Sequence, residues 1–400
     1  MPITQVDIAI IGGGMVGASL AIALAGTGIR TMLVEGTAPG AATQPSFDDR
    51  TTALGNASRR IFQGLGVWER MAGSATAIRT IHISDAGRFG FARLNAAEQR
   101  IDAFGYVISN RAIGAALWEK LQASSDILIR VPARPEQLQI SDSQVTFELP
   151  GESVSARLVV AADGAHSIVR STAGIEADVE DYDQVAIIAN VAADRPHDGT
   201  AYERFTPSGP LAVLPLHDGS YGVIWTCSPE HSKEVLSYDD TTYLRELQTR
   251  FGWRAGQFIR VGTRGSYSLK LTRAAATVAR RTVLIGNAAQ ALHPVAGQGF
   301  NLGLRDAAML AEVVASDRSD VGSPELLSRF ATWRTGDRDG VIRFTDGLVK
   351  LFANKRPGVG TLRNLGLLLF DLSPPAKSAL ARVSAGFAGP TPKLARGLPL

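Results

Sequence analysis

Val6-Asp7-Ile8-Ala9-Ile10-Ile11-Gly12-Gly13-Gly14-Met15-Val16-Gly17-Ala18-Ser19-Leu20 runs from a short β-branched stretch through a glycine cluster into residues rich in Ala and Leu. That order predicts a buried parallel strand over Val6 to Ile11, a tight turn, and a helix over Met15 to Ala25 packed on a sheet. Thr31 to Glu35 is the expected second strand. No charge falls between Asp7 and Arg30, so Ile8 to Ile29 is long enough to pass for a membrane span or a signal peptide. Two features argue against both. No basic segment precedes the run, and Gly12-Gly13-Gly14 interrupts the continuous backbone bonding that a spanning helix needs.

In a strand-turn-helix, Gly12-x-Gly14-x-x-Gly17 assigns one glycine to the tight turn, one to close approach of a pyrophosphate, and one to helix-strand packing. The helix start adds free N–H groups and the positive end of its dipole. Glu35 follows Gly17 by 18 residues, at the end of the second strand, where a carboxylate accepts hydrogen bonds from the adenosine ribose hydroxyls. The expectation is a Rossmann-type dinucleotide site, which FAD and NAD can both use.

Two distant stretches decide between them. Arg157 to Ala162 reads as a buried strand leading into Asp163-Gly164-Ala165-His166-Ser167-Ile168-Val169-Arg170. Thr282 to Ile285 is another apolar strand, leading into Gly286-Asn287-Ala288-Ala289-Gln290-Ala291-Leu292-His293-Pro294-Val295-Ala296-Gly297-Gln298-Gly299-Phe300-Asn301-Leu302-Gly303-Leu304-Arg305-Asp306. These resemble the two internal motifs of the aromatic-ring flavoprotein monooxygenases, the p-hydroxybenzoate hydroxylase family. Asp48-Asp49-Arg50-Thr51-Thr52-Ala53-Leu54, Ser109-Asn110-Arg111, and Leu214-Pro215-Leu216 with Trp225 extend the resemblance over nearly the whole chain. Within that family the late motif is most similar to the ubiquinone-biosynthesis hydroxylases, in particular the 2-polyprenyl-6-methoxyphenol hydroxylase branch.

The resemblance implies an α/β fold. A discontinuous Rossmann-like FAD-binding domain (1–74, 100–180 and 268–330) carries an antiparallel β-sheet substrate domain (75–99 and 181–267) and a C-terminal helical region (331–400). It implies FAD as cofactor, NADH or NADPH as transient co-substrate, and O2 chemistry of the flavin C4a-hydroperoxide type on an aromatic substrate, with a polyprenylated phenol expected. A small soluble phenol is one alternative, and a flavin-bearing scaffold subunit of a biosynthetic complex another. A reductase or halogenase on the same scaffold is a third, although the tunnel lysine and Trp-rich motif of a halogenase are not found.

The cofactor contacts expected are Gly12, Gly14, Gly17, Glu35, Arg50, Arg111, Asp163, Asn287, Gly297, Gly299 and Asn301. Asn287 stands where most of the family has Asp; an amide still accepts the ribityl hydrogen bond but removes one negative charge. The Gly297-Gln298-Gly299 turn allows close backbone approach, and a helix opening near Phe300 would aim its dipole at the flavin. Arg50 and Arg111 precede expected helices (Ala53 to Leu65, Ala112 to Ala123), and each has a solvated helix-start arginine as its alternative. Ser167 and Arg170 read as a helix start and a surface charge. His293, beside Pro294, is the base candidate for ionising a phenol, with a histidine that bonds backbone carbonyls as the alternative.

Composition agrees with an enzyme that encloses a large cofactor. At 400 residues, 45% hydrophobic and 20% charged, the chain suggests two domains or a large one with an insertion, and its 41 glycines imply many tight turns. The single cysteine, Cys227, reads as a buried strand residue, and the six histidines show no metal-ligand spacing, so a reducing, cytoplasmic setting without a metal is expected. A net charge of +3 gives no case for nucleic acid. Residues 345–400 carry eight basic and two acidic residues, leaving the rest near −3. There Thr361 to Leu372 places Leu362, Leu365, Leu369 and Leu372 on one helical stripe among Lys350, Lys355, Arg356, Arg363, Lys377 and Arg382. That pattern suits a helix lying on the inner face of a membrane, and the same stripe would also suit packing on the FAD domain or a homo-oligomer interface.

Overall fold

The computed structural model describes residues 2–41, 50–293, 297–353, 359–387, 389 and 391–400. A parallel sheet forms its base in the order Thr282–Leu284, Glu152–Ala161, Ile3–Ile11, Thr31–Val34, Ile127–Arg130. Side-chain alternation splits these strands between two cores. Ile8, Ile10, Leu33, Leu158 and Val160 face the helices Met15–Leu24 and Gln298–Ser316, while Ala9, Ile11, Met32, Val34, Val159 and Ala161 face the opposite side. Each fully buried Leu or Ile side chain contributes about 1.5–3 kcal/mol. The expected nucleotide unit is therefore present, with its strand-to-helix turn at the C-terminal edge of the sheet, where open α/β sheets bind ligands.

The second sheet covers that edge. Gly265–Ala274, Ala177–Ala193, Tyr221–Cys227, Gly209–Pro215 and Thr200–Thr206 pair antiparallel in that order along it, and the hairpin Thr80–Asp85/Phe91–Asn95 completes the far side. One junction, Thr80–Asp85 with Thr200–Thr206, is parallel. Strands of this sheet extend beyond residues 181 and 267, because Gly265–Ala274 pairs along its length with residues 177–188. Cys227 is buried in its strand, and burial pushes its thiol up to about 11.

Two local expectations fail. Thr51–Gly55 is a strand, paired with Gly105–Ser109, and the helix starts only at Asn56. Arg50 therefore precedes a strand: cross-strand partners held Thr51 to Gly55 extended where apolar spacing suggested a helix. Arg111 does not precede its helix but lies in the first turn of Asn110–Gln122, which Ser109 caps through the Ala112 N–H. Beyond residue 322 the described residues form the helices Pro324–Ala353, Val359–Asp371 and Pro374–Ser384 and a short turn at Leu394–Arg396.

Candidate active site

A cavity of about 950 Å³ runs from the glycine turn to the underside of the second sheet. Gly12, Gly14, Glu35, Arg50, Asp163, Asn287, His293, Gly297 and Gly299 all line it, drawn from segments nearly 290 residues apart.

The glycines divide the work differently from the fingerprint reading. Gly12 has φ +107°, and a Cβ there would strike the Ala162 carbonyl, so it serves both the turn and the contact with the neighbouring strand end. Gly14 is extended (φ −63°, ψ 178°) and opens the helix at the cavity wall. Gly17 does not line the cavity. A Cβ there would strike the Gly12 carbonyl and come within 3.1 Å of the Ala162 Cβ, so Gly17 has the helix-strand packing role expected of it. Gly13, not singled out from sequence, would place a Cβ 2.9 Å from Glu35 Cβ and 3.0 Å from the Trp118 ring.

Its N–H donates to Glu35 Oε2 at 2.6 Å, and Thr37 N–H donates to Oε1 at 2.7 Å. Glu35 is thereby oriented at the cavity wall with one lone pair left on each oxygen. Arg134, also absent from the sequence reading, lies against Gly36 and lines the same end.

Asp163 Oδ2 accepts from the N–H groups of Ile168 (2.8 Å) and Val169 (3.3 Å), while Oδ1 is buried without a partner. A buried acceptor facing a cavity suits a ligand donor. Ser167 caps its helix as expected, but Arg170 is not a surface charge. It donates to the Ala288 carbonyl at 3.0 Å and the Ala165 carbonyl at 2.8 Å, tying together the loops that carry Asp163 and Asn287. Asn287 is the exposed residue between buried Gly286 and Ala288, so its amide faces the cavity.

The second motif continues into the helix Gln298–Ser316, whose N-cap Gly297 is left-handed at φ +59°. Phe300 lies in its first turn, two residues beyond the observed start. Asn301 departs from the expectation of a cofactor contact. Its side-chain oxygen accepts from Gly55 N and Ser58 Oγ and its amide donates to the Ala53 and Gly297 carbonyls. With all four bonds taken inside the protein, it holds the Gly297 turn against the Thr51–Gly55 strand. Arg111 is exposed and absent from the lining, which its neighbour Asn110 joins instead. Arg50 lines the cavity with its guanidinium 4.7 Å from the Tyr267 ring centroid.

His293 lies at the boundary between cofactor loops and roof. Its Nε2 is 3.2 Å from Gln184 Oε1, an acceptor only, so Nε2 carries the proton; the Tyr182 ring meets it edge-on. Burial lowers its pKa to about 4. These features favour an orienting role over that of a base at neutral pH, through a side-chain partner where backbone carbonyls were the expected alternative. Asp48, Asp49 and Pro294 lie outside the described residues.

Comparison with known proteins bears on the same residues. The model of the FAD binding domain family matches residues 5–345. The chain belongs to that family. A ubiquinone hydroxylase, UbiL, of Rhodospirillum rubrum is 37% identical over 98% of this chain and 93% of its own length. The 3-demethoxyubiquinol 3-hydroxylase of Escherichia coli is 33% identical over 90% and 94%. Among solved structures, p-nitrophenol 4-monooxygenase PnpA from Pseudomonas putida superposes with a TM-score of 0.80 over 97% of this chain and 99% of its own, at 20% identity, and so shares the fold. The flavoprotein is an FAD-dependent monooxygenase, and its glycine cradle, oriented Glu35 and unpartnered Asp163 oxygen fit that cofactor.

Proposed function

We propose that this enzyme hydroxylates the ring of a polyprenylated phenol in ubiquinone biosynthesis, using NADH or NADPH and O2. The carrying observation is one continuous cavity, with phosphate-compatible glycine turns at one end and an apolar sheet at the other. The names of the most similar relatives support the choice of substrate. Glu35 would hold the adenosine ribose, Gly12 and Gly14 with the helix start the pyrophosphate, and Asp163 and Asn287 the ribityl chain. Gly297 and Gly299 would bring the helix dipole to the flavin ring. Bound FAD supplies electron transfer from the pyridine nucleotide and activation of O2; the chain orients the phenol under the roof and keeps water away.

Phenol-stimulated NAD(P)H oxidation with matched O2 uptake and a hydroxylated product is the expected result, and stimulation without product would favour the scaffold reading. Gly14→Val should fold yet purify colourless, since Gly14 needs no left-handed backbone and faces the cavity; a fully yellow variant would remove the pyrophosphate assignment.

A membrane surface as the place of substrate capture is supported by the helix Val359–Asp371. It docks by its polar side. Arg363 donates to Asp85 at 2.6 Å, Asn364 accepts from Gly90 N, and Asp371 accepts from Arg93 N at 2.8 Å. Leu362, Leu365, Leu369 and Leu372 point outward at 52–78% exposure and do not pack on the FAD domain. The expected cations are largely neutralised, since Lys350, Arg363 and Lys377 pair with Asp346, Asp85 and Asp371. Apolar insertion therefore carries the proposed docking. No described helix is long and apolar enough to cross a membrane.

A further inference from the structure

The roof of the cavity is largely apolar where Glu203 stands, while Tyr267, Ser268 and Lys270 line it from the strand Gly265–Ala274. Registers across the second sheet bring Ile188, Ile224, Ala212 and Glu203 into one row on four neighbouring strands, with Ile83 beyond Glu203. Of these, Ile188, Ile224, Ala212 and Glu203 line the cavity, joined by Ala186, Ala201 and Leu214. A carboxylate without a partner in such a row is costly, and desolvation pushes the half-buried Glu203 up to about 7 with no charged group contributing. Nothing among the described residues repays the cost. No donor and no cation among the described residues reaches the carboxyl.

The surrounding charges are engaged elsewhere. Along the strand, Arg204 donates to the Arg250 carbonyl at 2.9 Å, and on the neighbouring strand Asp85 is paired with Arg363. Lys270 pairs with Asp181, Arg50 lies over Tyr267, and His293 is held by Gln184. Glu203 is the carboxyl that the sheet contributes among the described lining residues; Glu35 and Asp163 belong to the cofactor loops.

From this juxtaposition of a lone carboxyl with an apolar roof, we propose that Glu203 is a catalytic residue, accepting the hydrogen bond and then the proton of the substrate's ring hydroxyl. The inference rests on the phenol hydroxylase reading above. The step balances simply: the phenol O–H bond breaks, its proton forms the O–H bond of the Glu203 carboxylic acid, and the electron pair stays on the phenolate oxygen. From there it raises the electron density of the ring carbons ortho and para to it. A carboxyl whose proton affinity lies near the working pH is better matched to a phenol than an exposed glutamate. The apolar row also keeps water from competing for the proton.

Glu203→Gln and Glu203→Asp, in the full-length FAD-loaded protein, test this with two readouts. The first needs no turnover: the affinities for a short-chain 2-prenylphenol and for its O-methyl ether, followed through the flavin absorbance from pH 6 to pH 9. Wild type should prefer the phenol by about tenfold at pH 8, as expected for a charge-assisted hydrogen bond, with the preference fading as pH falls through about 7 and the carboxylate takes up its proton. The Gln variant should bind both with a small, pH-independent preference, and the Asp variant should recover the pH dependence. The second readout is the rate at which hydroxylated product forms, which should fall at least ~100-fold in the Gln variant while FAD content stays at the wild-type level.

A folding check carries its own sign. A carboxyl whose folded pKa is raised contributes stability that is lost as pH climbs through about 7, so Glu203→Gln should raise Tm at pH 8 and leave it unchanged at pH 4. A Gln variant that keeps the phenol-over-ether preference and its pH dependence overturns the role of Glu203, whatever the turnover. A wild type that shows the Glu203-dependent preference but makes no hydroxylated product keeps the role and overturns the hydroxylase reading.

Discussion

Two helices of this flavoprotein solve the same problem in opposite ways. Gln298–Ser316 is buried almost all round, and its charges point inward: Asp306 accepts from Gly286 N at 3.0 Å and Gln290 Nε2 at 2.8 Å, and Arg334 Nε donates to it at 2.6 Å. Arg305 donates to Asp337 at 2.8 Å, completing a buried network of two arginines and two aspartates from two helices. Burial by itself raises the Asp337 carboxyl, and the Arg305 and Arg334 guanidinium groups overcome it, holding that carboxyl below the ordinary range. Val359–Asp371 also turns polar side chains toward the protein, but Leu362, Leu365 and Leu369 are left in solvent. Buried charge in the first helix fixes the Gly286 turn at the cofactor site. Exposed apolar surface in the second is the feature on which the proposed membrane docking rests.

The largest effect expected from this contrast is on the inner network. Arg334→Met leaves Asp306 and Asp337 buried with less compensation and should lower unfolding free energy by about 3–5 kcal/mol in urea titrations, with loss of FAD retention as the Gly286 turn loosens. An unchanged urea midpoint would mean that the network is as dispensable as a surface pair.

Serine at Leu362, Leu365, Leu369 and Leu372 together should leave Tm within about 2 °C of wild type and cut sedimentation with phospholipid vesicles at least ~tenfold. Because the nearby described cations are mostly paired internally, raising salt from about 50 to about 500 mM should change wild-type sedimentation less than ~threefold, where a charge-driven surface would release. A wild-type dimer that the serine variant converts to monomer would assign the leucine face to a second copy instead.

The smallest effect concerns Asn287 at the cavity wall. Asn287→Asp should bind FAD but lower its midpoint potential by tens of millivolts, because an added carboxylate opposes the negative charge that arrives on reduction. An unchanged or higher potential, measured by dye-coupled reduction, would remove residue 287 from the neighbourhood of the ring.

The legible parts of the site were those written in local backbone needs. Gly12, Gly164 and Gly297 have φ of +107°, +87° and +59°, conformations that favour glycine and that the motifs announce. Apolar period likewise located the strands of both sheets. Reading failed where a side chain's partner lies far along the chain. Asn301 was expected at the cofactor, yet its four hydrogen bonds go to residues 53, 55, 58 and 297. Arg170 looked like a surface charge until Ala288 was brought beside it. Thr51–Gly55 became a strand only because Gly105–Ser109 pairs with it.

By itself, then, the sequence determined the nucleotide fold, the family of chemistry and the loops that meet the cofactor, because strand periodicity, turn glycines and helix starts are properties of neighbouring residues. Only the tertiary structure decided that Glu203 stands alone in an apolar row and that the leucines of Val359–Asp371 face outward. Burial and pairing depend on which strands and helices lie alongside, and no stretch of chain contains that information about its own neighbours.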